Sequence, residues 1–422
     1  MSSRETMRFV SEAPQRRIVS ITEEARVTPL ELFLDLVFVF AITQVTALMA
    51  DDLTVRGVVQ GLLVLGLVWW CWVGYAWLGA VVRADEGLGR VAMFGAMGAV
   101  FVLAITIPEA FRDIEGGLSG PVVVAFAYLA VRVLHLAIFW LAARAEEDHG
   151  LRNQLLRFAP SLAGSTALLL VASQLEGTPQ IWVWVAVLVV DYVGTILAGA
   201  SGWRLNSSGL FAERHGLIVI VALGESIVAI GLGISREPVS WPIIGASVLG
   251  LTVSACLWWA YFDVVALAGE RLLRAAEGEA RNRIARDSYS YLHLPMIAGI
   301  VLGALGFKKV LEYVADTSHH TLDEPLALVP LVAMYGGIAL YLFAHVAFRF
   351  RNWHHVTMPR LVVGLALLGL IPAASRIAAL AALGLLAAVM VGLITFEATH
   401  YAEFRERIRR EEHEEELRLE HG

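Results

Sequence analysis

Asp35, Arg132, His135, Asp191 and Glu225 are ionisable residues set inside long apolar runs. In such surroundings their chemistry is to hold or move charge. Arg132 and His135 stand three apart and so share one helix face. A buried Arg132 calls for a carboxylate, with Asp191 or Glu225 as the candidate. The pair would clamp helices, or it would relay protons or cations through the spare carboxylate and His135, because histidine titrates near neutral pH. Asp35 belongs to ELFLDLVFVFAIT, four residues after Glu31. Thr28-Pro29-Leu30-Glu31 fits a capping box, which accounts for Glu31. Asp35 lies roughly 9 Å deeper than Pro29 at about 1.5 Å per helical residue, where no cap needs it. It either fastens a neighbouring helix or lies on an ion or substrate path. Glu225, in HGLIVIVALGESIVAIGLG, sits about 15 Å into its segment. Gly224, Gly231 and Gly233 around it permit close helix contact or a local break, and Ala222, Ser226, Ala229 and Gly233 form a small-residue stripe.

Other chemistry is excluded by what the sequence lacks. There is no G-x-x-x-x-G-K-[ST] loop, no H-E-x-x-H and no serine nucleophile elbow. Cys71 and Cys256 both lie in apolar runs, which argues against a disulfide framework or a cysteine metal site. The segment DTSHHTLDE offers His319, His320 and Asp316 or Asp323 as metal ligands, but adjacent histidines point apart on a helix or strand. His354 and His355, near Arg349 and Arg351, suit lipid headgroups. The expectation is a protein without enzyme activity, cofactor or metal.

The elements that must position these residues are membrane spans. The chain has 422 residues, 58% hydrophobic and 17% charged, where a soluble domain carries about 25% charged residues. The net charge of −7 implies no nucleic-acid partner. Residues 1–28 hold five arginines and four glutamates without the apolar stretch of a signal peptide. A bilayer core of about 30 Å takes roughly 20 residues per helix. Spans are expected near 30–50, 57–82, 90–110, 119–143, 155–173 and 181–203, then 215–234, 241–266, 289–311, 325–348, 359–375 and 377–400. The fold class is thus an all-α integral membrane protein with about twelve transmembrane helices. About 25 of the 32 lysines and arginines fall in segments on the N-terminal side and about 6 on the other, which puts both termini in the cytoplasm. Trp182, Trp184, Trp203 and Trp241 fall near span ends, as interfacial tryptophans do.

Six spans followed by six suggest duplication. Asp35 precedes Trp69-Trp70, and Glu225 precedes Trp258-Trp259 at nearly the same distance. Cys71 and Cys256 accompany the Trp pairs, and His135 and His345 are followed by Asp191 and Glu397. The organisation expected is a cytoplasmic segment 1–28, two parallel six-helix halves at 29–203 and 204–400, and a charged cytoplasmic tail 401–422. Asp263, His293, His345, Glu397 and His400 fall nearer the cytoplasmic face, where water would reach them.

ELFLDLVFVFAITQVTALM resembles the opening helix of the bacterial low temperature requirement protein A family. So do RHGLIVIVALGESIVAIG, the tryptophan-rich WWCWVGYAWL and IPEAF, and the resemblance runs from about residue 18 to 400. It implies a multi-pass membrane protein and hands over no catalytic or binding residue. Phe33-Leu34-Asp35-Leu36-Val37-Phe38 also resembles the Phe-Ser-Asp first helix of a lysosomal-type potassium channel family built from six-helix units, with Leu34 in place of the serine. Together these readings point to a secondary transporter or ion-permeation protein of the bacterial inner membrane. Its partners would be the lipid bilayer and a small solute or cation, with self-association left open. The path would be lined by Asp35, Arg132, His135, Asp191 and Glu225. The competing reading is a structural or regulatory membrane protein whose buried charges only fasten helices.

Overall fold

The computed structural model describes residues 25–83, 86–234 and 238–400; the expected N-terminal segment up to residue 24 and the charged tail lie outside them. The described residues form helices and no β-sheet. In chain order these are α1 (Pro29–Asp51), α2 (Val55–Gly79), α3 (Gly87–Thr106), α4 (Gly120–Ala145), α5 (His149–Ala172), α6 (Gly177–Ala198), α7 (Ser208–Ile234) and α8 (Trp241–Phe262). Two short helices, α9 (Val265–Ala275) and α10 (Gly278–Ile284), precede α11 (His293–Ala315), α12 (Leu328–Trp353), α13 (Met358–Ala374) and α14 (Ala379–His400). Among the described residues, eleven helical segments are long and apolar enough to cross a membrane. The span expected at 359–375 is α13, which has only 17 residues, about 26 Å at 1.5 Å per residue and short of the bilayer core.

Local chemistry sets the boundaries. Thr28 caps α1 as expected: its hydroxyl accepts from the Glu31 amide at 3.3 Å while the Glu31 carboxylate accepts from the Thr28 amide at 2.9 Å. Ser207 caps α7 by accepting from the Leu210 amide at 3.2 Å, so this helix begins seven residues before the expected start and takes in Arg214 and His215. The helix runs on through Gly224 and Gly231 without a break, and neither glycine has a neighbour that a Cβ would meet. Gly233 alone of the three lies in a close contact, against the Lys308 carbonyl of α11. Helices α11 and α12 approach closely backbone to backbone, where a Cβ on Gly299 would stand 2.5 Å from the Gly337 carbonyl.

Burial distinguishes the centre from the rim. In the most apolar window of α2, 83% is buried inside the bundle, against 22% in α6, whose Val193 and Leu197 face outward with Leu36 of α1 and Leu365 of α13. Exposed aliphatic side chains on this scale suit lipid contact. Of the four tryptophans expected at interfaces, Trp182 and Trp241 are exposed, but Trp184 is buried against Phe111 and Trp203 packs on Phe139 and Phe158. Between α10 and α11, residues Ala285–Tyr291 wind as a π-helix, a rare geometry often found at functional sites. Its residues complete the site described next.

Candidate functional site

The central helix α2 separates two buried arginines. On one side stands Arg214 of α7, fully enclosed. Its guanidinium donates to Asp35 at 3.1 Å and to the Tyr75 carbonyl at 2.8 Å, with Glu31 at 3.5 Å. The Trp72 indole N–H donates to the same Asp35 oxygen at 2.9 Å. Gly79 is required here, because a Cβ would fall 2.4 Å from the Glu31 carboxylate and 2.7 Å from Arg214. Asp35 therefore has a permanent cationic partner. Sequence reasoning placed Arg214 before its span and so missed it; two acids one turn apart at the head of α1 were the signal that a cation must face them.

On the other side of α2 stand Arg132 and His135, 1% and 2% exposed. Gly74 of α2 makes room for them, since a Cβ there would lie 3.1 Å from Arg132 Nη1 and 3.2 Å from His135 Nε2. The Phe158 ring covers the guanidinium at 4.9 Å. The expected ion pair is not formed: among the described residues no carboxylate comes within 4.0 Å of Arg132. Asp191 takes a hydrogen bond of 2.5 Å from Tyr128 instead, one helical turn before Arg132 on α4. Glu225 lies elsewhere, accepting from Thr43 of α1 at 2.6 Å. The nitrogens Nε and Nη2 of Arg132, and both ring nitrogens of His135, have no partner in hydrogen-bonding geometry. The reason sequence reasoning paired Arg132 with an acid is sound physics. Asp191 acts on Arg132 through its field alone, without direct contact.

Arg132 and His135 line a half-enclosed cavity together with Trp70, Trp203, Asn282 and Arg286. It offers about 40 Å³ of room for the centres of water molecules, enough for roughly three waters. It lies at the end of the bundle where α1 begins, among the last turns of α2 and α6, the loop before α7, and the π-helix. Trp69 and Trp77 of α2 fix that π-helix by donating to the Ser290 carbonyl at 2.8 Å and the Ser290 hydroxyl at 3.0 Å. Asn282 is held by the carbonyls of Ala200 and Trp203 at 3.2 and 2.7 Å. Trp70 stacks on Tyr192 at 4.3 Å, and its indole N–H has no partner. The tryptophan-rich motif of α2 thus builds one wall of the cavity and anchors another.

The second half holds a related group. Arg360 of α13 grips Glu397 of α14 with Nε and Nη2, both at 2.8 Å, and Nη1 meets His345 Nδ1 at 3.0 Å. His345, Glu397 and His293 are buried, which corrects the expectation that water reaches them. The Trp pairs also differ, since Trp69 and Trp70 are enclosed and Trp258 is exposed. In the segment DTSHHTLDE, His319 pairs with Asp316 at 2.7 Å and His320 with Glu324 at 2.9 Å, so the two imidazoles diverge. Hydrogen bonds from Ser318 and the His319 ring hold the Asp316 carboxyl down at about 2. Among the described residues no three metal-ligating side chains converge.

With this geometry in hand, comparison places the chain. The family described as bacterial low temperature requirement A protein (LtrA) matches residues 26–395. The chain belongs to that family. It is also 29% identical over 298 residues to an uncharacterized protein of Rhizobium meliloti (strain 1021), covering 68% of this chain and 69% of that protein. No solved structure matches. The LtrA match spans Arg132, Arg214 and Arg360 and ends two residues before Glu397. It confirms a multi-pass membrane protein of a bacterial family.

Proposed function

We propose that this LtrA protein is a secondary transporter or ion-permeation protein of the inner membrane, with both termini cytoplasmic, and that it carries out no covalent chemistry. The observation that carries the reading is the cavity lined by Arg132 and His135, where two buried nitrogens of the arginine and both of the imidazole have no partner in hydrogen-bonding geometry. An ion left uncompensated inside a membrane bundle is costly, and such residues mark solute or ion paths. The cavity lies at the end of the bundle richest in lysine and arginine, so it would load from the cytoplasm. Asp191, held by Tyr128, lies outside the cavity lining, one helical turn from Thr195, which is part of it. Glu225, with a hydroxyl rather than a cation as its partner, is the acid able to exchange a proton during the cycle. Asp35 keeps Arg214 in place and supports the site without lying on the path.

The reading includes two parallel six-helix repeats. In support, α1 packs on α3, α3 on α4 and α4 on α5, as α7 packs on α11, α11 on α12 and α12 on α13. Likewise α2 touches α6 as α8 touches α14. Transporters built from parallel repeats carry their sites near the junction of the halves.

The test is flux into proteoliposomes across a panel of inorganic ions, amino acids and small organic acids. At least one gradient should collapse faster with protein than without, and Glu225→Gln should abolish that difference while the protein remains folded. A panel in which no solute moves faster than in empty vesicles would rule out transport.

A further inference from the structure

We infer that the cavity beside Arg132 binds a small planar monoanion, a short carboxylate or an inorganic oxyanion of the same shape. The inference deepens the transport reading by naming its solute class.

Three observations carry it. First, the unpartnered polar groups lining the cavity are mostly donors only. Arg132 and the Trp70 indole cannot accept, and His135 can donate from either ring nitrogen. A ligand that satisfies them must bring acceptors. Second, the free edge of Arg132 has a counterpart whose use is visible. Nε and Nη2 are the two nitrogens with which Arg360 holds the Glu397 carboxylate, and the same two are unpartnered in Arg132. That edge matches two oxygens in a plane. Phe158 covers one face of the guanidinium at 4.9 Å, and the unpartnered edge is enclosed by protein, so a ligand in the cavity must reach it at close range. Third, the local charge favours one negative charge. Arg286, which lines the cavity, shares Asp287 with Arg351, through contacts of 2.8 and 2.7 Å. Asp191 stands beyond Tyr128. Three arginines against two carboxylates leave one positive charge for the ligand to neutralise. The room available, roughly three waters, suits formate, nitrate, bicarbonate or acetate.

The test uses the full-length protein in detergent, titrated with sodium formate, acetate and nitrate against sodium gluconate at matched ionic strength. Calorimetry and the thermal unfolding midpoint are the readouts. The small anions should give saturable binding and raise the midpoint, equally as sodium or potassium salts, and gluconate should do neither. Arg132→Lys keeps the charge but loses the planar fork, and should weaken binding at least tenfold. Trp70→Phe keeps the stacking on Tyr192, removes one donor, and should weaken it several-fold, which serves if the arginine variant does not fold. Equal responses to gluconate, or unchanged affinity in both variants, would overturn the site. Saturable binding without flux in proteoliposomes would support the anion site and refute transport. Flux of a cation with no anion-dependent binding would do the reverse.

Discussion

Arg132 and Arg360 are both enclosed by membrane helices, and each stands with a histidine, yet the protein treats them oppositely. Arg360 receives a carboxylate from its own chain, aligned to both nitrogens of one edge, and its third contact goes to His345. Arg132 receives an aromatic face and a glycine that keeps space clear around it. The first arrangement closes its charge and leaves nothing for a ligand. The second bears the cost of burying a cation without closing it. A fastener needs only the first. The contrast teaches that a buried arginine is functionally informative when its partner is missing, and structural when its partner is present.

The comparison is broken most forcefully at Glu397. Glu397→Gln leaves Arg360 buried against a neutral amide, and removing one partner of a buried pair costs about 3–5 kcal/mol. Detergent unfolding should show a large fall in stability, with anion binding to the Arg132 cavity of the surviving folded fraction unchanged. A loss of stability no larger than that of a surface substitution would mean the second-half pair is not a fastener. Asp35→Asn should act in the same direction but more weakly, about 1–3 kcal/mol, because Arg214 keeps the Tyr75 carbonyl and Glu31. The same unfolding measurement ranks the two.

Much of the fold was legible because a bilayer imposes a length. Twelve apolar stretches were expected, and each coincides with a helix, with α13 too short to count among the spans. The Thr28 capping box was readable because its partners are three residues apart. What failed was pairing across helices. The charge at Arg132 identified it as costly, but spacing along a chain carries no information about which of several distant acids will face it. Asp35 and Glu225 fell on the α1 and α7 side of α2, Arg132 and His135 on the other. Arg214 went unseen because helix α7 starts earlier than hydropathy alone suggests, with polar residues enclosed by neighbouring helices rather than by lipid. The π-helix was invisible for a related reason. ARDSYSY has no signature for that winding, and its role in walling the cavity depends on tryptophans more than 200 residues away.

The smallest effect is the most discriminating. Arg132→Met removes a cation that has no ion-pair partner within the described residues and replaces it with an apolar chain of similar length. A buried cation without an ion pair bears an uncompensated desolvation cost, so its removal offsets the loss of its longer-range attraction to Asp191, which keeps its bond from Tyr128. Unfolding stability should change by less than about 1 kcal/mol in either direction. Arg360→Met is the matched control. It strands Glu397 and should cost as much as Glu397→Gln. If Arg132→Met proved as damaging as Arg360→Met, Arg132 would be fastening the bundle through a partner its surroundings do not reveal, and the distinction between the two arginines would disappear. If the fold tolerates the change and anion binding vanishes with it, the charge is retained for a ligand, because nothing in the packing requires it.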